Sequence, residues 1–90
     1  MTRKLKLYIN DMLDNMGFAR ELVTGIEYTA FRRDRRTHYA VIRCIEIIGE
    51  AAKHLPEEVK GKYPSVPWKE MAGMRDKIIH FYMGVDLEIV

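Results

Sequence analysis

The chain has 90 residues, 48% of them hydrophobic and 31% charged, with a formal net charge of +2. That length suits one small domain, burying only a little over ~60% of the surface its unfolded form exposes. The composition excludes a disordered chain, and the single cysteine, Cys44, excludes an internal disulfide framework.

The N-terminal stretch MTRKLKLYINDML carries charges in its first turns and lacks the apolar block and cleavage site of a signal peptide. No apolar run approaches the ~20 residues that a membrane span needs. The expectation is a cytoplasmic protein with no membrane partner. No cysteine/histidine cluster offers a zinc site, and no metal or other cofactor is expected. The near-balanced charge neither demands nor excludes a nucleic-acid partner. A small core does favour completion by pairing with another chain.

The first element is a helix with Leu5, Tyr8, Ile9, Met12, Leu13 and Met16 on one stripe. Gly17 interrupts it without needing to end it, and Thr24-Gly25 is the better stop. IEYTAFRR follows as a short helical candidate. Asp34 then reads as the N-cap of the strongest helix, with Tyr39, Ile42, Ile45, Ile48, Ala52 and Leu55 at spacings of three or four. Val41, Ile47 and Ala51 widen its apolar strip, and Pro56 marks its end. Residues 56–67 hold all three prolines and read as a helical turn plus connector. Pro67 opens a further helix, WKEMAGMRDKIIHFYM, which Gly84 closes, and Asp86 caps a last turn, LEIV. No segment alternates with period two, so the fold class is all-α: an antiparallel bundle of about four helices.

Four arginines in five positions, Arg32, Arg33, Arg35 and Arg36, form the densest basic cluster. Guanidinium forks match phosphate oxygens, which makes these residues candidates for RNA-backbone contact; a solvated surface is the plainer alternative. His38 and His54 lie near the two ends of one helix and are expected to be structural or surface residues. Cys44 is expected to be a small buried hydrophobe, and Trp68 a core anchor.

The segment Arg75-Asp76-Lys77-Ile78-Ile79-His80-Phe81-Tyr82 offers a permanent cation, a base that titrates near neutrality and a phenol. RNA cleavage without a metal needs the first two. A base takes the proton from a ribose 2′-OH, and a cation stabilises the extra charge on the phosphoryl oxygens. At ~100° per residue, Arg75 and His80 stand about 140° apart around a helix, whereas Arg75 and Tyr82 return to within about 20°. Convergence of Arg75 and His80 therefore needs either a loosened helix or a second copy supplying complementary groups, which the small core favours. Glu46 and Glu50 share a face of the preceding helix; they either support Arg75 or His80, or form solvated or interface salt bridges. Gly49 between them is suited to close helix packing.

Arg75, four residues, His80, one residue, then Tyr82 resembles the signature of the HEPN superfamily, specifically its HepT-like branch. AVIRCIEIIGEAAKHLPEEVKGKYPSVPWKEMAGMRDKIIHFY and the trailing GVDLEIV carry the likeness further. The resemblance implies one HEPN-like helical domain over residues 1–90, lacking most of the family's last helix. It implies a homodimer that acts as a metal-independent endoribonuclease toxin, with RNA as substrate and Arg75 and His80 as the catalytic pair across the dimer cleft. Asp76 matches a position that supports the site in the family. Tyr82 would be adenylylated by a partner, an MntA-like nucleotidyltransferase antitoxin. That modification would place bulk and negative charge beside the cleft. The alternatives are a non-catalytic helical module that binds a nucleotidyltransferase, and a plain helical dimer with a vestigial motif.

Overall fold

A computed structural model describes residues 3–80, with side chains from 4 to 78. It contains α1 (Arg3–Val23), α2 (Tyr28–Arg33), α3 (Arg35–Lys53), α4 (Glu57–Lys62) and α5 (Trp68–His80). Among the described residues there is no strand, and the all-α bundle has five helices rather than about four. The added helices are α2, within the IEYTAFRR stretch expected as a short helical candidate, and α4, within residues 56–67 expected as a helical turn plus connector. The closing role of Gly84 and the turn after Asp86 lie outside the described residues.

Helix α1 runs through Gly17 without a break, because one glycine weakens a helix by only about 1 kcal/mol relative to alanine. It stops at Thr24-Gly25, where Gly25 takes φ +75°. The Thr24 hydroxyl donates to the Arg20 carbonyl at 2.6 Å, satisfying an end carbonyl of the helix. Asp34 caps α3 as the sequence predicts: the Thr37 N–H donates to Oδ1 at 3.2 Å, and the Thr37 hydroxyl donates to Oδ2 at 2.7 Å. Its own N–H closes α2 on the Ala30 carbonyl. Pro56 follows the last turn of α3 and cannot extend it. Pro67 flanks α5, its carbonyl accepting from the Met71 N–H at 3.0 Å.

Helix α3 is the central element and packs against α1, α5 and α2. Its last turns bring Ala51 and Ala52 onto Met12 of α1, and Leu55, just past its end, joins them. Leu5, Tyr8, Ile9, Ile48, Trp68 and Met71 wall this cluster. Trp68 is half-buried there, and its indole N–H donates to the Tyr63 carbonyl at 3.1 Å. Phe31, Val41, Ile42, Cys44 and Ile78 are buried in the remainder of the core. Burial of a side chain the size of Met12 or Leu55 stabilises the fold by about 1.5–3 kcal/mol.

Part of the α1 stripe departs from expectation. Leu13 is 61% exposed and Met16 42%. The stripe is wider than the groove α3 offers, and among the described residues α1 packs chiefly on α3. No described helix is long and apolar enough to cross a membrane.

Candidate active site

Between α1, α3 and α5 lies a cavity of about 250 Å3 lined by Tyr8, Asp11, Arg43, Glu46, Glu50, His54 and Arg75, with Ile47 and Ala51 behind them. Positions 43, 46, 50 and 54 recur at helical spacing, so one polar stripe of α3 floors the cavity beside its apolar face. Helix α1 contributes Tyr8 and Asp11, and α5 contributes Arg75. The approach of α5 depends on Gly49, where any β-carbon would run into Arg75 and the Met71 carbonyl.

Arg75 is the centre of the charge arrangement. Its Nη2 stands 2.6 Å from Glu50 Oε2, and its Nη1 donates to Asp76 Oδ1 at 2.9 Å. The Glu50 contact is an ion pair outside hydrogen-bonding direction, since Oε2 and the buried Arg75 Nε have no hydrogen-bond partner. Asp76 Oδ1 also accepts from Lys53 Nζ at 2.9 Å. The hydrogen bonds from Lys53 and then Arg75 hold the Asp76 carboxyl below the usual carboxylate range. The other Glu50 oxygen, Oε1, lies 3.1 Å from His54 Nε2. The His54 ring stacks on Tyr8, with centroids 4.8 Å apart and planes inclined by 7°.

The sequence-derived site residues divide accordingly. Asp76 touches Arg75 directly. Glu46 lines the same cavity but pairs with Arg43; its helical neighbour Glu50 is the one that meets Arg75. The backbone of His80 belongs to α5, which stays α-helical to that residue, so no loosening brings His80 round to the face of Arg75. The side chain of His80 and the whole of Tyr82 lie outside the described residues. Arg32, Arg33, Arg35 and Arg36 are exposed at the α2–α3 junction, the opposite end of α3 from Glu50, and do not join the cavity.

Sequence reasoning missed His54 and Tyr8 as cavity residues. The signal for His54 was present: it follows Glu50 by one helical turn. Tyr8 carried none, because its place depends on how α1 docks. His38 sits against Phe31 and Tyr39 at ring distances of 6.1 and 5.1 Å, away from the cavity, as a structural residue would. Cys44 is buried, and burial pushes its thiol up, away from the nucleophilic thiolate form. Chemically, the cavity presents a fixed guanidinium at its edge, carboxylates around it and an aromatic wall. Among the described residues, no group of three or more His, Cys, Asp or Glu side chains could hold a metal ion.

Comparison with known proteins gives this arrangement a context. A family model described as ribonuclease HepT-like matches residues 12–90. A Methanocaldococcus jannaschii protein with the provisional name RNase is 45% identical over 84 residues, 93% of this chain and 69% of the relative. A Thermococcus cleftensis protein named probable ribonuclease HepT is 43% identical over 90 residues, 100% of this chain and 82% of its own length. A Caldanaerobacter subterraneus protein, also provisionally named an RNase, is 47% identical over 83 residues, 92% of this chain and 74% of its own. No solved structure matches the chain at the same stringency.

Proposed function

The chain belongs to the HepT-like ribonuclease family of the HEPN superfamily, and from that premise we propose that it is a metal-independent endoribonuclease toxin working as a homodimer. Arg75 and His80 are its catalytic pair. The His80 imidazole takes the proton from a ribose 2′-OH, whose oxygen then attacks the adjacent phosphorus. Arg75 stabilises the added negative charge on the phosphoryl oxygens. The P–O5′ bond breaks, the 5′-oxygen takes a proton from water, His80 returns its proton to solvent, and the 2′ and 3′ oxygens end on one cyclic phosphate.

The observation that carries this reading is the state of Arg75. A guanidinium gripped by two carboxylates at the edge of a cavity is already ordered for a phosphate before any RNA arrives. A second protomer supports the geometry, because His80 stands about 140° round α5 from Arg75, so one straight helix cannot aim both at one phosphate. The exposed Leu13 and Met16 give α1 apolar surface suited to such pairing. Tyr82 is the proposed site of adenylylation by an MntA-like nucleotidyltransferase, two positions after His80. The arginines at 32, 33, 35 and 36 are proposed to hold the strand at a distance from the cut.

The test is an RNA oligonucleotide cut by the purified protein in the presence of EDTA, beside one with 2′-deoxyribose at the cleaved position. Cyclic phosphate ends on the first and no cleavage of the second are expected. Cleavage of the deoxy-substituted strand would reject 2′-OH attack. Binding of the nucleotidyltransferase with all RNA left intact would favour a non-catalytic interaction module.

A further inference from the structure

Arg75 stands on α5, yet part of what fixes its guanidinium belongs to α3. Asp76 is its neighbour in sequence, and its carboxylate is shared with Lys53. Glu50 reaches Arg75 from across the helix interface, at 2.6 Å. The Glu50 carboxylate is itself held on its far side by His54 at 3.1 Å, and the His54 ring lies flat on Tyr8 of α1. Tyr8, His54, Glu50 and Arg75 thus run without a break from α1 through α3 to α5, along one wall of the cavity.

We propose that Glu50 is a positioning residue for Arg75, tying its guanidinium through His54 and Tyr8 to the packed helices so that the remaining η N–H bonds face a scissile phosphate. The inference rests on the ribonuclease reading of this site. A free arginine side chain samples many rotamers, and a guanidinium already gripped has given up that freedom before substrate binds. The benefit falls on the transition state, where the charge on the phosphoryl oxygens is largest and donor direction counts most. A loosened Arg75 would still attract RNA by its charge. Loss of the Glu50 anion even increases that attraction. The expected signature is therefore a fall in kcat with KM unchanged or lower, which a purely structural role for Glu50 does not produce.

The experiment measures kcat and KM on a fluorophore–quencher RNA oligonucleotide for the full chain, Glu50→Ala, Glu50→Gln and Arg75→Ala. Removing the grip is expected to lower kcat of Glu50→Ala about 10–100-fold, the scale of misplacing a catalytic group by about 1 Å. Glu50→Gln keeps the length and removes the charge on which the ion pair with Arg75 depends, and is expected to lower kcat as well. KM should stay within about threefold of the parent or fall, and helical dichroism should be retained. Should Glu50→Ala not fold, the isosteric Glu50→Gln alone decides, with kcat reduced at parental KM. Parental or faster turnover in the folded Glu50 variants, beside an inactive Arg75→Ala, would overturn the positioning role and leave the nuclease reading standing. Parental cleavage by Arg75→Ala would overturn both.

Discussion

Gly49 of α3 and Arg75 of α5 meet with no space between them for a side chain. A β-carbon on Gly49 would collide with the Arg75 Cβ and stand 2.8 Å from the Met71 carbonyl oxygen. This close approach brings Arg75 within reach of Glu50, the next residue along α3. Gly49→Ala forces the helices apart, and overpacking of this kind costs about 1–3 kcal/mol. In a domain this small each kcal/mol lowers Tm by about 4–8 °C. Gly17→Ala is the control, since a β-carbon there meets nothing within 4 Å. It is expected to hold or raise Tm. Thermal melts of the two variants that fail to separate in this direction would contradict the packing account.

The Asp34 cap should show itself in the pH dependence of stability. The Thr37 hydroxyl first, and the Thr37 N–H second, hold the Asp34 carboxyl below the usual carboxylate value. A carboxyl whose folded pKa lies below its unfolded one stabilises the fold above the unfolded pKa. That contribution is lost as pH falls through the folded pKa. Asp34→Ala is therefore expected to melt below the parent at pH 7, with the gap closing below about pH 4. Asp76, lowered by Lys53 and then Arg75, acts in the same direction. A gap of constant size across that range would place the stabilisation elsewhere.

The arginine cluster makes a kinetic prediction of its own. Arg36 and Glu50 are about 21 Å apart along α3 at ~1.5 Å per residue. If they contact RNA as proposed, arginines at that distance hold the strand and leave the chemistry alone. Replacing Arg32, Arg33, Arg35 and Arg36 with glutamine is expected to raise KM for RNA and leave kcat unchanged. The slope of log affinity against log salt should weaken by about 0.7 for each phosphate of a single strand that the arginines no longer neutralise. Titrations at several salt concentrations check this, and an unchanged slope would return the cluster to a merely solvated surface.

Tyr82 makes a mass prediction. Co-expression with the nucleotidyltransferase is expected to add whole adenylate units to the intact protein, and Tyr82→Phe is expected to remove them. Additions that persist in Tyr82→Phe would assign the modification to another residue.

Much of the fold was legible in local chemistry. The Asp34 cap, the Thr24-Gly25 stop and the proline boundaries are short-range events, and the structure places them where the residues put them. The family signature likewise resides in a contiguous stretch ending at Tyr82. What the sequence hid depends on docking between helices. Leu13 and Met16 share an apolar stripe with Met12, and only the width of the α3 groove decides that Met12 alone of the three is buried. Glu46 and Glu50 are equivalent by periodicity. Arg43, one turn before Glu46, captures it, while Gly49 draws Arg75 onto Glu50. His54 looked like a helix-end residue and is one, as the C-cap of α3, but Tyr8 from α1 turns it into part of the cavity wall.

The central claim is that Arg75 and His80 together cut RNA. RNA cleavage by the parent, Arg75→Ala and His80→Ala, each confirmed as folded by circular dichroism, tests it most directly. The account predicts cleavage by the parent and none above background by either variant. Cleavage by His80→Ala at the parental rate would contradict it.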